Sequence, residues 1–163
     1  EEQEEANQIR RYAVSCHMYI FEYKAKTANR LPFYDEFPLV YVIKATRNEF
    51  WGLNLHYMSP KKRAWVVKRL MDGRIDAPRN CFHKYITSYV DGFLLDLAAP
   101  EWATAILLPV ETFVKRTRGR PGEQSYPKEV VWDETNENFY DKIKARRVVR
   151  GYGLKKDLTM AEK

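Results

Sequence analysis

The sequence predicts an α+β fold: a small antiparallel β-barrel of SH3-like type, or the equivalent sheet, with two or three short helices and an extended basic C-terminal tail. Three observations predict it. Two β-rich runs flank the turn Thr46-Arg47-Asn48-Glu49, which is the pattern of a hairpin over 38–58. Ser59-Pro60 then opens a helical pattern that stops at Asp72-Gly73, an N-cap and N1 proline at one end and a C-terminal glycine at the other. After Arg116 the chain becomes basic, with the linker Thr117-Arg118-Gly119-Arg120-Pro121-Gly122. The division that follows is a polar segment over 1–13, a compact domain over 14–116 and a basic extension over 117–163.

Taken in order, 1–13 reads as a polar helix or frayed end, and 17–23 (His-Met-Tyr-Ile-Phe-Glu-Tyr) as a strand. Residues 24–36 are loop material, with Pro32 and Asp35 as turn formers. Residues 38–44 are the clearest strand, and 50–58 its partner. On that partner Trp51, Leu53, Leu55 and Tyr57 share the inward face, while Gly52, Asn54, His56 and Met58 share the other. The helix from Pro60 to about Met71 should bury Ala64, Val67, Leu70 and Met71. Residues 80–90 look helical, 93–97 look like a strand, and Pro100 opens a short helix over 101–107. Residues 111–116 suggest one more helical turn. A last helix is expected at 134–149, with only Phe139, Ile143 and Val148 as apolar points. The extension from 117 therefore needs the domain, a neighbour or a polyanion to order it, and protease sensitivity in the free protein is expected.

The chain has 163 residues, 45% of them hydrophobic and 14% aromatic, with eleven tyrosines. That is enough for one domain with a real core. Two cysteines, Cys16 and Cys81, make no disulfide framework and suggest a reducing environment. Apolar runs such as 103–110 are too short to span a bilayer, and the acidic start has no apolar segment behind basic residues, so neither a membrane partner nor a signal peptide is expected. Net charge is +6, and it is uneven. Residues 59–85 carry eight Lys or Arg against Asp72 and Asp76, and 115–163 carry thirteen against eight acids. A polyanion such as nucleic acid suits that distribution.

The sharpest local feature joins the end of the 50–58 strand to a helix whose first turn holds Lys61, Lys62 and Arg63. Cations at the positive end of a helix dipole cost about a few tenths of a kcal/mol each, so their presence suggests a use. Free N–H groups and three cations would attract phosphate; the alternative is a solvated basic turn. Lys68 and Arg69 on the same helix, His56 on the strand before it, and Arg116, Arg118 and Arg120 in the linker complete the candidate nucleic-acid-binding set.

Catalytic chemistry has less support. Glu22-Tyr23-Lys24 has the Glu-x-Lys spacing of metal-dependent nucleases but lacks an upstream acid on a partner strand. Cys16 and His17 are adjacent on extended chain and point apart, and Cys81 and His83 are poorly spaced for one ion. Asp35-Glu36 fits a turn or cap better than a metal site. No Gly-rich phosphate loop or nucleophile elbow occurs. No enzymatic activity, metal or cofactor is expected.

The run Leu31-Pro32-Phe33-Tyr34-Asp35-Glu36-Phe37-Pro38-Leu39-Val40 and the run Gly52-Leu53-Asn54-Leu55-His56-Tyr57-Met58-Ser59-Pro60 resemble a small protein family of T4-like tailed bacteriophages, the DNA end protector or head-completion proteins. Lys84-Tyr85-Ile86-Thr87-Ser88, Glu101-Trp102-Ala103 and 108–113 fit the same pattern, so the resemblance covers about 17–114. It implies a non-enzymatic virion protein that caps packaged DNA ends against exonucleases and helps to complete the head. It implies partners too: double-stranded DNA, other virion proteins and further copies of itself, in the virion and, during assembly, in the host cytoplasm. The alternative is a purely structural neck, tail or baseplate component held to its neighbours by the C-terminal arm. The +6 charge suits both, because basic surface can bind phosphate or another subunit.

Overall fold

The computed structural model describes residues 8–26 and 28–139. Nine strands and three α-helices follow one another: β1 (Ile9–Arg10), β2 (Met18–Tyr23), β3 (Tyr34–Asp35), β4 (Leu39–Ala45), β5 (Glu49–Asn54), α1 (Pro60–Met71), β6 (Phe82–Ile86), β7 (Val90–Leu97), α2 (Ala99–Ala105), β8 (Phe113–Lys115), β9 (Gln124–Ser125) and α3 (Lys128–Phe139). Six strands form one sheet in the order β1-β7-β2-β4-β5-β6, and three form a second in the order β3-β8-β9. All pairings are antiparallel. The fold is α+β as expected, but the large sheet is open, with β1 and β6 at its edges, and no barrel closes.

The large sheet is buried on both faces, which accounts for the near-continuous apolar runs of β2 and β4. Met18, Ile20, Leu39, Tyr41, Ile43, Trp51 and Leu53 face one core, which is covered by Val66, Val67 and Leu70 of α1 and Trp102 of α2. Tyr19, Phe21, Tyr23, Val40, Val42, Phe50 and Leu94 face another, which Tyr34 of β3 and Val114 of β8 help to cover. Gly52 sits where β4 and β5 pass closest. A Cβ there would lie 2.4 Å from a Val40 methyl and 2.5 Å from the Tyr41 carbonyl oxygen, so only glycine fits without a shift.

The hairpin forms, with Val42 opposite Gly52. Its second strand stops at Asn54, and Leu55–Tyr57 is a 3-10 turn. α1 runs over the expected residues, but its buried stripe is Arg63, Val66, Val67 and Leu70. Ala64 and Met71 are exposed, because the stripe lies one position away from the expected one. Residues 80–90 are not helical. β6 pairs along β5, Glu49 opposite Ile86 and Leu53 opposite Phe82, and tertiary pairing overrides the local pattern. Residues 113–115 are likewise a strand, held between β3 and β9.

The last helix begins at Lys128, six positions before the expected 134, and the rest of the expected helix lies outside the described residues. Val131 is fully buried in the first core, and the Thr135 hydroxyl accepts a 2.8 Å bond from the Asn80 amide. Residues 124–139 thus pack on the domain itself. At the start of β2, Cys16 takes a left-handed conformation, φ 69°, with its amide donating to the Val42 carbonyl at 2.7 Å. Cys16 is exposed and Cys81 is buried.

Candidate nucleic-acid interface

The strand-to-helix junction places Lys61, Lys62 and Arg63 in three different environments, and the expected three-cation anion site does not form. Arg63 turns inward, with its side chain only 1% exposed. Its Nε donates to the Leu55 carbonyl at 2.9 Å and the Met58 carbonyl at 2.7 Å, and Nη1 donates to the Ile106 carbonyl at 2.9 Å. Nη2 lies 3.4 Å from the Glu111 carboxylate. A planar guanidinium with five donors suits this task, since each carbonyl is one that the 3-10 turn and the end of α2 leave unpaired. Lys62 donates to the Asn136 side chain on α3. Only Lys61 is fully exposed.

His56 is also removed from the phosphate-binding set. Its ring is completely buried, and Nδ1 lies 2.8 Å from the Asp35 carboxylate. Asp35 is saturated: Oδ2 also accepts from the Asn54 amide at 3.2 Å, and Oδ1 accepts from the backbone amides of Phe37 and Thr112. Burial alone would raise its pKa, but the His56 contact, the Phe37 amide and Asn54 outweigh that and hold the carboxyl below its usual value. Glu111 behaves similarly. Burial opposes its charge, yet the Lys128 ammonium at 2.9 Å and the Arg63 guanidinium keep its pKa lowered. Trp132 of α3 lies over both cations and donates its indole N–H to the His56 carbonyl at 3.0 Å. These groups form an internal polar network that joins the junction to α3.

Further along α1, Lys68 is exposed, while Arg69 stacks on Trp65 and pairs with Asp76 at 3.1 Å. The linker residues behave differently. Arg116, Arg118 and Arg120 are all exposed and line one surface depression of about 710 Å³, together with Lys26 from the loop after β2. Gly119 and Gly122, at φ 85° and 77°, supply the left-handed turns that fold the basic segment back on itself. None of the four cations has a carboxylate partner among the described residues. Lys26 carries no sequence signal, since only tertiary structure brings it to the linker.

A second cavity, of about 480 Å³, includes Tyr23, Tyr57, Tyr85, Tyr89, His83 and the buried Asp35 in its wall. His83 donates through Nε2 to the Asn80 carbonyl at 2.8 Å, and burial pushes its pKa down to about 4, so the ring is neutral at pH 7 and Nδ1 is a bare acceptor. This cavity was not visible in the sequence, because its wall comes from five separate segments.

The nuclease-like residues do not assemble a centre. Glu22 is exposed beside Lys24, at 3.9 Å, and no group of three or more His, Cys, Asp or Glu suited to a metal occurs among the described residues. Among those residues no helix is long and apolar enough to cross a membrane. No curated protein and no solved structure matches the chain. Residues 5–79 match the family model described as Phage T4 terminal DNA protecting protein, so the resemblance read from the sequence stands where it overlaps that span, and the chain is similar there to the DNA end protectors of T4-like phages.

Proposed function

We propose that the chain is a virion protein that binds and covers the ends of packaged double-stranded DNA, without catalysing a reaction, and takes part in completing the head. The observation that carries this reading is the convergence of Lys26, Arg116, Arg118 and Arg120 on one depression with no acid to neutralise them. Such a cluster attracts phosphate through charge alone, and each phosphate neutralised releases counterions. Lys61 and Lys68 on the exposed side of α1 extend the basic surface, whereas Arg63 and His56 serve the interior.

The test is a titration of duplex DNA at several salt concentrations with the full chain and the triple variant Arg116→Ala, Arg118→Ala, Arg120→Ala. Affinity should fall similarly for all sequences, and the slope of log K against log salt should drop by about 0.9 per lost contact. Unchanged affinity and slope would overturn the reading. No cleavage is expected with magnesium, manganese or zinc, and cleavage abolished by Glu22→Gln would overturn the non-enzymatic part.

A purely structural neck, tail or baseplate role is favoured by one observation. Ile9 of β1, opposite Leu95 of β7, and Phe93 nearby are 48%, 38% and 62% exposed and form an apolar strip at the sheet edge. Contact with other virion proteins or with further copies would cover it. Locating the protein in assembled particles decides the matter: a ring of copies on the tail axis supports the structural role, and a few copies at the DNA terminus support capping.

A further inference from the structure

Phosphate contacts cannot tell the end of a duplex from its interior, because the charge repeats along the whole molecule. An end differs in offering a base that is unpaired or easily unpaired. We propose that the tyrosine-lined cavity receives the base of a terminal nucleotide while the adjoining basic loop holds the phosphates behind it; this rests on the DNA-end reading above.

Three features carry the assignment. The first is size and lining. A volume of about 480 Å³ falls within the roughly 300–1,000 Å³ usual for small-ligand sites, and aromatic faces are the surfaces on which bases of any sequence stack. Tyr23 packs edge-on against Tyr85, with ring centroids 5.1 Å apart, and Tyr57 lies against His83 at 4.4 Å, so the walls are braced before a ligand arrives. The second is polarity. His83 Nδ1 has no protein partner among the described residues, and as a bare acceptor it suits a ring N–H or an amino group of a base edge. The third is adjacency. Lys26, which lines the basic depression, lies 5.3 Å from the centroid of Tyr89, which lines the cavity. Tyr34, also in the cavity wall, donates its hydroxyl at 2.7 Å to Glu123, directly after the basic loop. A base in one and its phosphate over the other would span this boundary.

The test compares a covalently closed duplex minicircle with the linear duplex of the same sequence bearing short single-stranded overhangs. Wild-type protein should prefer the linear form. Tyr89→Ala should reduce that preference by about tenfold, the order expected for one lost base stack, with minicircle affinity and salt slope unchanged. Tyr89→Phe, which keeps the ring, should retain the preference, and melting temperatures check that both variants fold. Equal binding of circle and linear DNA by wild type would overturn the cavity assignment and leave the phosphate reading intact. Binding of neither would overturn the DNA-end reading itself. A free deoxynucleoside monophosphate that bound as tightly as the overhang would reassign the cavity to free nucleotides.

Discussion

Arg63 shows how one residue type can lie in sequence among its like and yet do different work. Lys61, Lys62 and Arg63 read as a single cationic cluster, but Arg63 bonds carbonyls at Leu55, Met58 and Ile106, and the last of these lies 43 residues away. Inward or outward placement depends on that long-range partner, so the sequence could not show it. Arg63→Met should destabilise the protein by about 3–5 kcal/mol in denaturant titration, because it strands the buried Glu111 carboxylate. Lys61→Ala should leave stability within about 0.5 kcal/mol of wild type. His83 gives a pH signature. Its folded pKa of about 4 lies below the usual 6.5, so the unfolded chain binds a proton that the folded one refuses. Stability should therefore be fully present above about pH 6.5 and be lost as pH falls toward 4. His83→Phe should flatten that limb in melting temperatures taken across the range.

At the scale of elements, legibility followed range. The β4–β5 hairpin and α1 are specified by signals within a few residues, namely the Thr46–Glu49 turn, Ser59-Pro60 and Asp72-Gly73, and both were read from sequence. β6, β8 and β9 exist because β5 and β3 offer partners, and a short aromatic run such as Phe82–Ile86 does not declare that alone. α3 is the instructive case. Its apolar residues are too few to mark a helix, but Val131, Thr135 and Trp132 each meet a waiting group on the domain. In limited proteolysis of the free protein, 128–139 should therefore be protected. Val131→Ala should cost about 2 kcal/mol, and Val131→Asp should expose the segment to cleavage. Cleavage of wild type within 128–139 as fast as in Val131→Asp would show that the helix does not hold in solution.

For the whole molecule, the +6 charge resolves into distinct populations. Some cations are internal struts, some are paired at the surface, and a group around the 116–122 loop is exposed beside a cavity. The candidate site was thus half legible: Arg116, Arg118 and Arg120 were evident as a basic linker, whereas Lys26 and the tyrosine wall are assembled only by the fold. The two thiols offer a last consequence. With Cys16 at an exposed turn and Cys81 sealed in the core, a maleimide should consume one equivalent quickly under native conditions and the second only when the core opens. The slow phase is then a clock for opening, read without denaturant. Run with and without DNA, it would report whether binding tightens the interior, and the dye on Cys16 would mark each chain once for counting copies in a particle.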